Sequence, residues 1–273
     1  MGGDHYSRVS LLRSLANREH LLSGTSTSLP SGACLVTLWD REREATWIVA
    51  SGAALSLGVD TVCLAVALLD RVLVATRVPV KYVNCVAATC LYISIKLCEE
   101  CVCVSDAGRL ISRLQLHYSI PELNRMELTI LSHLNWDLGM PSVDRFMHAM
   151  LRCMGSPFLP VFRIPLETVI CSSALSYKFR PSLLALALLS LILESRTPFW
   201  FPVTVGFQRL LEVDDNELIE CREAIATVIC LEDKENDSAR ELKRSRGAKR
   251  KADGGRKEVH EVLPEVALCT QQD

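Results

Sequence analysis

Val80-Lys81-Tyr82-Val83-Asn84-Cys85-Val86-Ala87-Ala88-Thr89-Cys90-Leu91-Tyr92-Ile93-Ser94-Ile95-Lys96-Leu97-Cys98 is the stretch whose reading decides the fold. Wound as a helix, it spreads Val83, Val86, Ala87, Cys90, Leu91, Ile93, Ile95 and Leu97 over most directions. A helix that is apolar nearly all round belongs at the centre of a bundle. One stripe, carrying Lys81, Tyr92, Lys96 and Glu99, is left to reach water or a partner.

Moving outward, helical spacing recurs on both sides and strands are hard to find. A helix over Leu38 to Leu57 is expected to bury Trp47, Ile48, Ala54 and Leu55, with Gly58 as its stop. Asp60 then caps a helix whose apolar arc is Val62, Ala65, Val66, Leu69, Val72 and Leu73, with Asp70 and Arg71 on its wetter side. Pro79 ends that unit. A short helix follows Ser105. Ser119-Ile120-Pro121-Glu122 is a capping box with proline in the first turn, and it opens a helix that ends near Asn135.

The pattern then repeats. Pro141-Ser142 opens a helix through Met154, Pro157 to Pro165 is a connection, and Leu166 to Tyr177 reads as one helix. Pro181 to Glu194 is again apolar all round and again third in its series. Segments at Phe199 to Leu211 and after the Asp214-Asp215 cap complete a second set. The expectation is an all-α chain of two tandem five-helix units, 35–140 and 141–231, without detectable identity between them. Residues 1–34 read as an arm and linker, a short amphipathic piece from Leu11 to Leu22 followed by Ser23 to Gly32, with order beginning after it. Residues 232–273 lose apolar periodicity and read as a disordered basic tail.

Composition narrows the function. A hydrophobic share of 49% over 273 residues supplies real cores, and a net charge of −2 gives no global attraction to nucleic acid or acidic lipid. Cysteines such as Cys63, Cys85, Cys90, Cys171 and Cys230 lie in apolar helical runs as small hydrophobes, which suits a reducing compartment. Met1 to Arg18 carries Asp4, Arg8, Arg13 and Arg18 and has no secretory core. Pro181 to Leu193, though uncharged, falls short of the roughly 20 residues of a membrane span. A soluble intracellular protein is expected.

Catalytic chemistry is not in evidence. No Gly-rich phosphate loop, His-Glu-x-x-His pair or Gly-x-Ser-x-Gly elbow occurs. Cys98-x-x-Cys101-x-Cys103 lacks the second ligand pair of a closed zinc site, and His117 is an unsupported fourth ligand. His133 and His148 fall on amphipathic helices, as surface or hydrogen-bonded histidines do. Asn236-Asp237-Ser238 fits a glycosylation pattern that the expected compartment makes moot. Neither enzyme activity, cofactor nor metal is expected.

One acid is out of place. In Arg125-Met126-Glu127-Leu128-Thr129-Ile130-Leu131, Glu127 stands roughly 40° from Leu123 on the helical wheel, inside the arc of Met126, Ile130, Leu131 and Leu134. A carboxylate there either meets a cation of this chain or is kept for a partner. The best internal cation is Lys96.

These residues carry a resemblance. Leu68-Leu69-Asp70-Arg71-Val72-Leu73, Pro79-Val80-Lys81-Tyr82-Val83-Asn84-Cys85-Val86, Ile95-Lys96-Leu97-Cys98-Glu99-Glu100, Arg125-Met126-Glu127 and Leu134-Asn135-Trp136-Asp137-Leu138, in that order, resemble a cyclin, most like the cyclin I and cyclin G group. Phe179-Arg180-Pro181-Ser182-Leu183-Leu184-Ala185-Leu186-Ala187 looks like the third helix of a second cyclin box. The resemblance implies two stacked boxes and a noncatalytic regulatory subunit of a cyclin-dependent serine/threonine kinase, acting in cell-cycle control. It also implies that Lys96 and Glu127 face the kinase, with Lys81, Tyr92 and Glu99 on the same stripe. The alternative inside the chain is a Lys96–Glu127 pair that registers two helices, and the two roles are compatible.

Cell-cycle cyclins that recruit substrates carry Met-Arg-x-Ile-Leu ahead of a tryptophan. Anchored on Trp47, those places here hold Asp40, Arg41, Arg43 and Glu44, so docking of Arg-x-Leu peptides is expected to be poor. Other function classes stay open: a scaffold for a phosphatase regulatory subunit, as the cyclin G relatives imply, or a transcription-type cyclin fold, which calls for a basic face that the near-neutral boxes lack.

The tail adds a localisation signal. Lys243, Arg244, Arg246, Lys249, Arg250 and Lys251 form two basic clusters suited to a nuclear import receptor, so nucleus and cytoplasm are both expected. No aromatic residue interrupts the run, so specific nucleic-acid binding is not expected. Arg8-x-x-Leu11 and Arg18-x-x-Leu21 match destruction signals, a pattern common by chance.

Overall fold

The computed structural model describes residues 2–22, 29–30, 35–99, 106–157 and 160–231, with side chains from Arg8 onward. Twelve helices run through them: α1 (Gly2–Leu22), α2 (Leu38–Leu55), α3 (Val59–Ala75), α4 (Val80–Cys98), α5 (Ala107–Leu114), α6 (Ile120–His133), α7 (Val143–Cys153), α8 (Arg163–Cys171), α9 (Ser173–Ser176), α10 (Pro181–Glu194), α11 (Trp200–Leu210) and α12 (215–231). Among the described residues the one β-type pairing is a single bridge, Leu35 to Pro79. The described residues are all-α, in two tandem helical sets, α2–α6 and α7–α12. The basic tail lies outside the described residues.

The two all-apolar helices are the two axes. In α4 every residue from Cys85 to Ile95 is buried, and α2, α3 and α6 pack around it. Its polar members are self-satisfied: Thr89 Oγ1 donates to the Cys85 carbonyl at 2.7 Å and Ser94 Oγ to that of Cys90 at 2.9 Å. By length and composition α4 is apolar enough to cross a bilayer, but 67% of that window is buried inside the bundle. In α10 the buried run is Ser182 to Ser190, with α7, α8, α11 and α1 against it. Both helices have the bounds that the apolar pattern predicts.

Where α2 crosses α3, Gly52 sits so close that a Cβ built there would lie 2.4 Å from Val62 Cγ2, so only glycine fits without moving a stiff β-branched neighbour. Capping follows the reading at two helices. Ser119 and Glu122 close a capping box on α6, and Asp214 Oδ2 accepts from the Asn216 amide at 2.9 Å to start α12. At α3 the cap differs from expectation. The left-handed residue that ends α2 is Ser56, φ 57°, while Gly58 is the N-cap of α3 and Asp60 lies in its first turn. Glu99, at the end of α4, holds this start, because its Oε1 accepts from the Gly58 amide at 3.0 Å and from Thr61 Oγ1 at 2.6 Å, taking the place of the N3 carboxylate that bonds the N-cap amide in a capping box. Ala54, expected inside, is exposed, and Trp47 is half-buried.

The expected helix from Leu166 to Tyr177 is broken at Ser172, whose ψ is 115°. The break is held from α2. Arg41 Nη1 donates to the Cys171 carbonyl at 2.5 Å, the Ser173 amide donates to Glu42 Oε1 at 2.7 Å, and Ser173 Oγ donates to the Leu38 carbonyl at 2.9 Å. Backbone groups freed by the kink are thus satisfied by the other set. Arg41 is fully buried, with its Nε and Nη2 on the two Asp70 oxygens at 2.7 and 2.6 Å and Nη2 also donating to Ser176 Oγ at 3.2 Å. Tyr177 donates its hydroxyl to Asp70 at 3.2 Å. Burial, then the Asp70 charge, push the Tyr177 phenol well above its ordinary range, so it stays a donor. Asp70 and Arg71 lie, as expected, on the less buried side of α3, half-buried along the seam between the sets, with Arg71 donating to the Asp137 carbonyl and to Met140.

The N-terminal arm is also different from its reading. Order begins before the linker, since α1 packs on α7 and α10 with Leu12 and Ala16 buried. Arg8 donates to the Arg152 carbonyl at 2.9 Å, and Arg18 to the Gly139 carbonyl at 2.6 Å and to the Asp137 carboxylate. Glu19 is buried and accepts the Ser182 amide at 2.8 Å and the Ser182 hydroxyl, capping α10 across the chain. The arginines of both destruction-type pairs are thus engaged.

Replacing Arg41 by Met is expected to lower stability by about 3 kcal/mol, because it strands the Asp70 carboxylate and the Cys171 carbonyl together. Arg41→Lys should recover little of this, lacking the bidentate fork. Urea midpoints of the two variants check it, and an unchanged midpoint for Arg41→Met would refute it.

Candidate interaction surface

At its C-terminal end α4 leaves the core. Ile95 is buried, and the next two residues, Lys96 and Leu97, are exposed. Lys96 sits in the last turn, where a cation is favoured by the helix dipole. Across from it α6 buries Leu123, Ile130 and Leu131, and Glu127 stands among them as the wheel predicts. Lys96 Nζ lies 2.6 Å from Glu127 Oε1, with the side chains 40% and 13% exposed, and the ammonium rests 4.8 Å from the Tyr92 ring centre. A partly solvated pair of this kind contributes about 1 kcal/mol or less. What it does provide is a fixed, oriented charge pair whose lysine is still open to an incoming group.

The remaining members of the expected stripe are placed differently. Tyr92 is 7% exposed, so it is a buried ring beneath the Lys96 ammonium and not a surface contact. Glu99 is half-buried and spends its carboxylate on the start of α3. Lys81 is exposed, 4.7 Å from the Tyr82 ring centre, but it is in the first turn of α4, roughly 22 Å along the helix from Lys96. Of the five expected residues, Lys96 and Glu127 are the two whose charged groups the structure brings together, and their pair is the centre of the candidate site. Exposed apolar residues on the same helices enlarge it: Leu97 on α4, and Ile120 and Leu128 on α6. Sequence reading missed these three because an apolar residue on an amphipathic helix reads as core. Of the three only Leu128 carried a signal, since it lies roughly 140° from Leu123 on the wheel and so outside the α6 arc.

A second face, on α2, has its own chemistry. Thr37 and Asp40 form a capping box, Arg43 bridges Asp40 at 3.1 Å and Glu44 at 3.0 Å, and Glu44 Oε2 accepts from Asn84 at 2.7 Å. Tyr118 donates to Asn84 Oδ1 at 3.1 Å. Arg43 also lies over the exposed Trp39 ring. Of the four positions ahead of Trp47, Asp40, Arg43 and Glu44 thus bond one another and Arg41 is turned inward to Asp70, with no apolar trough among them.

His133 and His148 each place Nδ1 within hydrogen-bonding distance of the carbonyl four residues back, at 2.7 and 3.0 Å. Cys101 and Cys103 of the cysteine cluster, and the import signal from Lys243 to Lys251, lie outside the described residues. No group of three potential ligands gathers among the described residues.

Residues 11–139 match the family model for the cyclin N-terminal domain, a span that contains both Lys96 and Glu127. Relatives include cyclin-G2 of Mus musculus, 27% identical over 62% of this chain and 52% of that protein, and cyclin-I2 of Homo sapiens, 26% identical over 67% and 54%. Cyclin-G1 of Rattus norvegicus is 30% identical over 50% and 49%. The chain spans about half the length of the curated relatives it matches. A solved viral cyclin from herpesvirus saimiri superposes with a TM-score of 0.61 at 22% identity, covering 81% of this chain and 96% of that one, which speaks for the fold. Residues 11–139 thus match a cyclin N-terminal domain, and the chain is similar to cyclins G and I.

Proposed function

We propose that this chain is a noncatalytic cyclin-type subunit that binds a cyclin-dependent serine/threonine kinase through the C-terminal end of α4 and the middle of α6. The observation that carries the reading is the Lys96–Glu127 pair, 2.6 Å apart and flanked by exposed Leu97 and Leu128, at the two positions that match the family's kinase-facing lysine and glutamate. Such a surface has the make-up of a protein interface, apolar contact area with an oriented charge pair at its heart. Its action on the kinase is thermodynamic. By binding one conformer of the kinase more tightly than another, it shifts the population toward that conformer without taking part in bond making.

The polar network on α2 supports a narrower repertoire than that of substrate-recruiting cyclins. With Asp40, Arg43 and Glu44 satisfied by one another and by Thr37 and Asn84, a peptide leucine placed there would have to desolvate charges for no return. Selection of substrates would then rest with the kinase or with another part of the assembly. We further propose that the basic residues from Lys243 to Lys251 direct part of the population to the nucleus through an import receptor.

In affinity purification of the full chain followed by mass spectrometry, a cyclin-dependent kinase is the expected prey. Glu127→Lys should reduce its recovery at least tenfold while moving the urea midpoint by no more than about 1 kcal/mol of stability. Undiminished kinase recovery, or a phosphatase subunit or transcription machinery as the sole prey, would overturn the reading. A blocked Arg-x-Leu peptide should bind no tighter than roughly 1 mM, and micromolar binding on α2 would refute the selectivity argument. Removing residues 242–273 from a tagged chain should shift it toward the cytoplasm, and an unchanged nuclear signal would dispose of the import proposal.

A further inference from the structure

Asp144 is buried without a counter-ion among the described residues. It lies in the first turn of α7, 2% exposed, and its Oδ1 has no hydrogen-bond partner. What bonding the carboxyl has is local, to the Ser142 side chain and to its own amide. The helix that carries it opens the second set and packs on α3 of the first, as well as on α1, α8 and α10.

The elements around it bring acids, thiols and cations already engaged elsewhere. Asp60 and the buried Cys63 thiol face it from α3, and the Cys98 thiol from the end of α4. On α8, Glu167 and Arg163 hold each other at 2.8 Å. On α1, Arg8 donates to the Arg152 carbonyl at the far end of α7, while Arg18 and Glu19 are engaged with Asp137 and Ser182. The one charge of α10 is Glu194, at its other end. Arg145, next in the chain, donates to the Met140 carbonyl at 3.1 Å. His148, one turn along α7, sets Nδ1 3.0 Å from the Asp144 carbonyl oxygen, and its pull toward the ionised carboxylate is outweighed by burial.

An ionised carboxylate in that setting has lost its water and gained no paired cation, so the neutral acid is the form that the packed seam favours. We propose that Asp144 makes the seam between the two helical sets sensitive to pH: protonated, it lets α7 seat firmly on α3, and ionised, it loosens that contact. Burial, opposed in part by the Ser142 hydrogen bond, lifts the carboxyl above its ordinary range. Its contribution to stability is therefore complete at low pH and is lost as pH rises through the titration of the folded chain. The inference does not rest on kinase binding, whose candidate residues lie on α4 and α6.

The test follows the carbon-13 resonance of the Asp144 carboxyl in the full chain across about pH 4 to pH 8, together with amide hydrogen exchange. The carboxyl should titrate above the ordinary carboxylate range. Protection of the Phe146, Met147 and His148 amides, corrected for intrinsic exchange, should fall roughly tenfold in step with that titration, while protection in the centre of α4 does not. Asp144→Asn removes the titration, so the ratio of its folding constant to that of the unmodified chain, from urea unfolding, should rise roughly tenfold or more between pH 5 and pH 8. A carboxyl already ionised at pH 5, α7 protection that ignores the titration, or a ratio that stays flat would each overturn the proposal. The first two readings use the unmodified chain and decide the matter even if Asp144→Asn does not fold.

Discussion

Arg41 is the interaction on which the rest of the body depends. A guanidinium with no exposure to water is tolerable only if its charge and its donors are met together, and three elements are recruited to do so: Asp70 of α3, the Cys171 carbonyl at the end of α8, and Ser176 of α9. Burial lowers the affinity of the guanidinium for its proton, yet the Asp70 carboxylate more than offsets it and the group is held more firmly protonated than a free arginine. The consequence is geometric. Since α2 and α3 belong to the first set and α8 and α9 to the second, one side chain registers the two sets against each other. Hydrophobic packing alone is non-directional and would set that register less sharply.

The same residue explains the limits of reading the chain as a string. Features governed by neighbours within a few turns were legible: the all-apolar α4 and α10 with their ends, the Ser119–Glu122 cap, and Glu127 as an acid in an apolar arc that needed a cation. The break at Ser172 was not, because what stabilises it lies 130 positions away in the chain at Arg41 and nothing in Leu166 to Tyr177 forbids a continuous helix. Glu99 misled for the same reason. Its place on the α4 stripe suggests a surface role, and only the path of α3 brings the Gly58 amide to it. Tyr92 misled because a wheel gives direction but not depth, and the ring lies buried beneath the Lys96 ammonium. The N-terminal helix was half-read: its apolar spacing is visible, but its partner surface on α7 is not.

Family likeness and site geometry bear on different questions. The first explains why two helical sets stack as they do, the second why particular side chains are left at the surface. Lys96 and Glu127 add little to stability, as a half-solvated pair should. The α2 face tells the opposite story, since its charges are satisfied internally and offer little to a visitor. One family scaffold thus presents one face that retains open groups and one that has closed on itself.

The cap that Glu19 places on α10 joins positions 163 apart in the chain. During synthesis, α1 leaves the ribosome before both of its docking partners, α7 and α10, and the α10 amide that it caps is the later to emerge. At ordinary elongation rates the interval from Glu19 to Ser182 is roughly 10–30 s. Throughout it the second axis of the fold lacks its N-terminal acceptor, so the nascent chain passes through a stage in which the first helical set can assemble and α1 can settle on α7 before the cap is made.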